Sequence, residues 1–132
     1  MNVPVYPERP RVAVACGCIL GEGPIWDRRT GVLHWVDIVG ETLWSWHPAR
    51  DAPPETRVLG ERAGFVLLTP DPAVVIVGAK SGLRRLDLRT GASATVLRPE
   101  PDHPGNRLND GVVAPDGSVY FGSLNDTGRE PT

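Results

Sequence analysis

Short runs of apolar residues separated by turn residues make up most of the chain. The runs are about four to seven residues long, are rich in Val, Ile, Leu and Trp, and are bounded by Gly, Pro or Asp, which is typical of β-strands. No stretch keeps apolar residues at helical spacing over a useful length. We therefore predict an all-β protein with almost no α-helix. The predicted strands are residues 11–18, 23–26, 32–38, 42–46, 64–69, 73–79, 83–88, 94–97, 111–114 and 118–124.

The turn-and-strand pattern repeats along the chain. Strands that begin at Val32, Ala73 and Ser118 each follow a short turn containing Asp, and their starts are 41 and 45 residues apart, an average period of about 43 residues. Residues 42–47 also echo residues 82–87 at a shift of 40, so two successive strands recur together. A repeat of roughly 40 to 50 residues that holds four short strands is typical of a β-propeller blade.

A β-sandwich with a similar number of strands is the alternative fold, but it does not require a repeat. Three copies of the pattern fill 132 residues, whereas a closed propeller takes roughly 4 to 8 blades. We therefore expect two to three blades of an incomplete ring. Residues 1–132 would form a single partial propeller domain, with an irregular segment over residues 1–10.

Composition excludes several classes of function. The chain is 40% hydrophobic and 23% charged, as in soluble globular proteins. Its net charge of -2 and scattered arginines argue against a nucleic-acid partner. The longest apolar run, residues 73–77, is far below the roughly 20 residues that span a bilayer, and the first residues lack the pattern of a secretion signal. We expect a cytoplasmic protein that acts on a small molecule and does not bind membranes.

The first candidate for chemistry is Glu22, which stands between Gly21 and Gly23 at the start of a predicted strand. Flanking glycines let the backbone pass close to a bound ion, and a carboxylate offers hard oxygen ligands that suit calcium or another divalent cation. A lone Glu in a glycine-rich turn is more often a solvated loop residue. On chemistry alone, both interpretations stay open.

The second candidate is the hexapeptide NRLNDG at residues 106–111. Arg107 supplies donors in a fixed fork and Asn109 supplies both donor and acceptor, a combination suited to sugar hydroxyls and to a lactone or carboxylate oxygen. The alternative is an Asx-type turn in which Asn109 and Asp110 bind backbone amides before a hairpin. Asp110 followed by Gly111 fits that turn, so we interpret Asp110 as structural.

Together the two motifs resemble a known family. LGEGPIWD followed by GVLHWVDI looks like the first blade of the gluconolactonase and regucalcin (senescence marker protein) family, and NRLNDGVVAPDGSVYFGSL looks like its third blade. The resemblance runs through most of the chain in order, and it covers the N-terminal part of such proteins. Strictosidine-synthase-like and paraoxonase-like propellers are disfavoured, because NRLNDG stands where the lactonase family has it.

The resemblance implies a six-bladed propeller with one divalent cation in its central channel, which hydrolyses aldonolactones. Calcium is the first expectation for the cation, with zinc, manganese or magnesium as alternatives. Glu22 matches the family's first metal ligand, and Arg107 and Asn109 match residues that contact the substrate. We expect these three residues to converge near the propeller axis, where the cation would polarise the lactone carbonyl while water attacks.

Some family positions have no counterpart before Thr132. These are the remaining metal ligands and the catalytic base, so no catalytic residue is assigned, and we expect the 132 residues alone to show little activity. An acidic substrate contact falls at Thr127 by counting, with Asp126 as the nearest carboxylate.

Two functional hypotheses follow from the sequence. The first is a metal-dependent lactonase whose chemistry is completed by further sequence. The second is a non-catalytic propeller fragment or binding module of the same family. Open blade edges would favour self-association in either case.

Overall fold

The structure, a computed structural model, describes residues 9–128, and its regular secondary structure consists of ten β-strands. No helix occurs among these residues, so none of them forms a helix long and apolar enough to cross a membrane. The predicted all-β fold is confirmed. The strands are β1 (Gly21–Asp27), β2 (Val32–Asp37), β3 (Thr42–Trp46), β4 (Glu55–Val58), β5 (Ala63–Leu68), β6 (Val74–Ala79), β7 (Gly82–Asp87), β8 (Ser93–Leu97), β9 (Asn106–Val113) and β10 (Val119–Asn125).

The strands form three antiparallel sheets in chain order. The first sheet has the order β1-β2-β3-β4, the second has the order β5-β6-β7-β8, and β9 and β10 form a hairpin. The second strands, β2, β6 and β10, begin at Val32, Val74 and Val119, close to the repeated positions in the sequence. Two four-stranded sheets and a two-stranded hairpin therefore follow the predicted repeat.

Apart from shifts of one or two residues at strand ends, the observed strands differ from the predicted ones in three places. Residues 11–18 form no strand, because no described strand pairs with them to complete a hydrogen-bonded ladder. β4 was not predicted, since its sequence ETRV is polar and mostly exposed. β9 begins at Asn106 rather than Gly111. Of the expected irregular segment, residues 1–8 lie outside the described residues, and residues 9–10 are not in a strand.

A shared apolar cluster joins the first two sheets. It contains Val36 and Leu43 from the first sheet and Val66, Val75 and Val77 from the second, and each of these is at most 2% exposed. Full burial of a side chain of this size contributes about 1.5–3 kcal/mol. The cluster therefore supplies a large part of the stabilisation that holds the two sheets side by side.

β5 is the central strand of the molecule, because it packs against both β1 and β9. Its Phe65 ring lies against Gly78 and Gly111, where an added Cβ would come within 2.2 Å and 2.7 Å of the ring. The ring also packs with Leu83 and Leu108 in a second buried cluster. This cluster packs the β9–β10 hairpin against the second sheet.

The backbones of β5 and β9 meet at Gly64. A Cβ at this position would lie 2.2 Å from the carbonyl oxygen of Asn109 and 2.6 Å from that of Leu108. These are backbone atoms, so neither can move aside without shifting β9. Gly64 is therefore required by the close approach of two strands.

One buried histidine lies in the first sheet. His34 in β2 is 4% exposed, and its Nδ1 is 2.8 Å from the hydroxyl oxygen of Ser45 in β3. Burial lowers the pKa of His34 below its ordinary value of 6.5, and the Asp27 carboxylate partly opposes this. The cause is that the imidazolium form would lose its hydration.

We predict that Gly64→Ala destabilises the complete natural polypeptide containing these residues by at least about 2 kcal/mol, because the added methyl overlaps the β9 backbone. The matched control is Gly122→Ala, since Gly122 is an exposed strand glycine with nothing within 4 Å of an added Cβ. Urea unfolding of both variants measures the difference. Equal stabilities would show that β9 does not approach Gly64 as described.

The burial of His34 also predicts a pH dependence of stability. His34 binds a proton less readily in the folded state than in the unfolded state. The contribution of His34 to the free energy of unfolding is therefore complete above the ordinary pKa of 6.5. It is lost as the pH falls towards the lower pKa of the folded state. The loss amounts to at most about 1.4 kcal/mol per pH unit. His34→Asn should therefore lose less stability than the wild type between about pH 7.5 and about pH 5.5. The control is His103→Asn, at an exposed loop position, and parallel pH profiles for wild type and His34→Asn would contradict the prediction.

Candidate functional site

The first strands of the three sheets each carry a β-bulge. The register of β1 shifts around Gly23, that of β5 at Gly64 and that of β9 at Asn109. The bulges lie beside one another, because an added Cβ on Gly23 would be 3.4 Å from the Gly64 carbonyl oxygen, and one on Gly64 would be 2.2 Å from that of Asn109. A bulge leaves one residue unpaired and redirects neighbouring side chains. Because the three bulges are neighbours, the side chains next to them are redirected at adjacent positions of the three strands.

The bulges border a cavity of about 380 Å³, which we call the first-strand cavity. Its volume lies within the range of small-molecule sites, about 300–1,000 Å³. Glu22, Arg107 and Asn109 all line it, so the structure brings together the three residues that the sequence analysis singled out. The lining consists of Leu20, Glu22, Gly23, Pro24, Ile38, Gly64, Arg107, Asn109 and Asp110.

Glu22 contributes an exposed carboxylate that forms no hydrogen bond or ion pair with the described residues. A free carboxylate is the type of ligand that calcium and magnesium take. Asp110 is the second carboxylate of the cavity, but its Oδ1 accepts the Gly111 amide at 2.8 Å. Within residues 9–128, no group of three or more His, Cys, Asp or Glu could hold a metal ion. Glu22 can thus serve as one ligand of a cation, but the described residues do not supply the rest of a ligand set.

Arg107 is nearly buried, at 8% exposure, and hydrogen bonds fix its guanidinium. Its Nε donates to Asp126 Oδ1 at 3.0 Å, and its Nη1 donates to Asn109 Oδ1 at 3.0 Å and to the Leu108 carbonyl at 3.2 Å. Its Nη2 has no partner within the described part of the chain. Because the Asn109 oxygen is occupied, that side chain keeps its Nδ2 as a donor. The pair therefore offers mainly donors to a ligand.

Asp126 bridges two arginines. In addition to Arg107, its Oδ2 accepts Arg62 Nη1 at 2.9 Å, and its side chain is only 12% exposed. Charge-assisted hydrogen bonds of this kind hold both partners in place. Asp126, and not Thr127, is the residue beside Arg107, since the Thr127 hydroxyl bonds to Asn125. With both oxygens occupied, Asp126 positions Arg107.

Sequence reasoning missed Arg62. The residue stands two positions before the bulge at Gly64, as Arg107 stands two positions before the bulge at Asn109. Alignment of the first strands of the repeat could have found it. The repeat was recognised on the second and third strands, where the apolar pattern is strongest.

The turn interpretation of NRLNDG is wrong, because these residues belong to strand β9. Five of the six residues pair with residues of β10, and Asn109 at the bulge is the exception. Asp110 accepts a backbone amide as the turn interpretation required. Asn109, however, accepts from the Arg107 side chain and not from an amide.

Comparison with known proteins places this geometry in context. The family model described as "SMP-30/Gluconolactonase/LRE-like region" matches residues 20–132. An L-arabinolactonase of Azospirillum brasilense is 42% identical over 113 residues, which cover 85% of this chain and 36% of that protein. Regucalcin of Oryctolagus cuniculus is 33% identical over 116 residues, which cover 81% of this chain and 35% of that protein.

A solved structure shares the fold. Regucalcin of Agrobacterium tumefaciens, described as a calcium-binding protein, matches with a TM-score of 0.76 and 28% identity, over 83% of this chain and 36% of that one. The chain thus spans about 36% of the length of these relatives. On the extent of the family match and the shared propeller fold, the chain belongs to the SMP-30/gluconolactonase/LRE-like family.

Proposed function

We propose that the complete polypeptide containing these residues is a metal-dependent hydrolase of sugar lactones. The observation that carries the proposal is the convergence of Glu22, Arg107 and Asn109 on the first-strand cavity. A relative that is 42% identical is named L-arabinolactonase, which supports a sugar lactone as the substrate class. The family resemblance implies six blades, of which this chain would form the first two and part of the third.

Glu22 would be the first ligand of the cation. Calcium is the leading candidate, since a regucalcin of similar fold is described as calcium-binding, and zinc, manganese and magnesium are alternatives. Such a cation, when bound, would polarise the lactone carbonyl and stabilise negative charge on its oxygen. The other ligands and the catalytic base would come from outside residues 9–128.

Arg107 and Asn109 would bind and orient the lactone. The free Nη2 of Arg107 and the Nδ2 of Asn109 can donate to the oxygens of a sugar ring or a lactone. Because Asp126 and Asn109 already hold the guanidinium, little side-chain order has to be gained when the substrate binds. Leu20 and Ile38 add an apolar wall to the same cavity.

We expect Glu22→Gln to weaken divalent-cation binding by the complete polypeptide at least about tenfold, because loss of even an outer partner of a ligand costs about 10–100-fold in affinity. Calorimetric calcium titration measures the change. Glu55→Gln is the matched control, since Glu55 is an exposed glutamate on β4 outside the cavity. Unchanged calcium affinity in Glu22→Gln would remove Glu22 from the ligand set.

We expect Arg107→Ala to lower kcat/KM for gluconolactone by about 10–100-fold, the effect of losing a hydrogen bond from a charged donor. Calcium affinity should stay near that of the wild type. Arg85→Ala, at an exposed position of β7, is the control in a pH-stat assay of lactone hydrolysis. Lactone binding without turnover by the wild type would instead favour the non-catalytic binding module.

A further inference from the structure

A second cavity shares Arg107 with the first-strand cavity and has three Lys or Arg side chains in its lining. It has a volume of about 180 Å³ and lies between the β6–β7 turn and the loop from β8 to β9, and we call it the cationic cavity. Lys80 from the turn, Arg98 and His103 from the loop, and Arg107 from β9 line it. Glu100 is the only carboxylate among its lining residues. In a protein whose net charge is -2, this is a local reversal of sign.

Glu100 does not pair with these cations. Its Oε1 accepts the Ser123 hydroxyl at 2.8 Å and its Oε2 accepts Asn106 Nδ2 at 3.3 Å. Within residues 9–128, Lys80 and Arg98 have no carboxylate partner at salt-bridge distance. Positive charges gathered in a concave site attract anions more strongly than the same charges spread over a convex surface.

The volume of the cavity limits its ligand. Sites for whole drug-sized molecules measure about 300–1,000 Å³, so a cavity of about 180 Å³ suits one substituent and not a complete sugar. Phosphate, sulfonate and carboxylate groups combine a small size with several acceptor oxygens. Such oxygens match the donors of arginine and lysine.

Arg107 connects the two cavities, because it lines both of them. A sugar lactone in the first-strand cavity that carries an anionic group could therefore place that group in the cationic cavity. The guanidinium of Arg107 is fixed by its Nε and Nη1 contacts, so it forms a rigid boundary between the two.

We propose that the cationic cavity binds an anionic substituent of the lactone, so that the preferred substrates are phosphorylated, sulfonated or carboxylated sugar lactones. The proposal rests on the lactonase function proposed above. Lys80 and Arg98 supply the charge at the rim, and Arg107 supplies the inner donor. The same site would also take up free inorganic phosphate, as a competitor of the charged substrate.

The test compares the complete polypeptide with a Lys80→Ala/Arg98→Ala double variant. Two quantities are measured: the affinity for inorganic phosphate by calorimetry, and the ratio of kcat/KM for gluconolactone phosphorylated on its terminal hydroxyl to kcat/KM for gluconolactone. Both should fall at least about tenfold in the double variant. Arg28→Ala/Arg85→Ala removes the same number of charges at exposed positions outside both cavities, and it should change neither.

Three other outcomes would each overturn a different claim. Phosphate binding that is absent, or that survives in the double variant, overturns the anion site. Loss of phosphate binding with an unchanged kcat/KM ratio overturns the assignment to a substrate substituent and indicates a site for a free anion. Phosphate binding that the double variant loses, in a polypeptide that hydrolyses neither lactone, supports the anion site and overturns the proposed lactonase function.

Discussion

The contact between β5 and β9 is the constraint on which the rest of the site depends. A Cβ on Gly64 would lie 2.2 Å from the Asn109 carbonyl oxygen, so only glycine allows this approach. The Phe65 ring fills the space against Gly111. Close packing leaves little room for either contact to shift. Together they fix the level of the β9 bulge, and hence the position of Arg107 and Asn109 across the cavity from β1.

Charge compensation is the second requirement. Arg107 is 8% exposed, and a buried charge without a partner costs several kcal/mol. Asp126 supplies the partner, but it is shared with Arg62, so the two guanidinium groups together retain one positive charge. That excess suits a site in which oxygen atoms become more negative, whether on a lactone carbonyl or on an anionic substituent.

The repeat provides one backbone arrangement for three different purposes. At the bulges, the first blade places Gly23 next to Glu22, the second places Gly64 where a side chain would not fit, and the third places the donor Asn109. The second blade therefore contributes only Gly64 to the lining of the first-strand cavity. Two residues before its bulge, Arg62 donates a hydrogen bond to Asp126.

The sequence by itself determined the all-β fold and the period of the blades, because apolar runs and turn residues are local properties of the chain. It singled out Glu22, Arg107 and Asn109 only through the resemblance of their motifs to a known family. Only the tertiary structure decided that residues 11–18 lack a strand and that ETRV forms β4, since a strand exists only where a neighbour completes its hydrogen bonds. It also decided the partners of Asp126. Arg107 and Arg62 lie 19 and 64 residues away from that carboxylate, and no local pattern records a contact that packing alone creates.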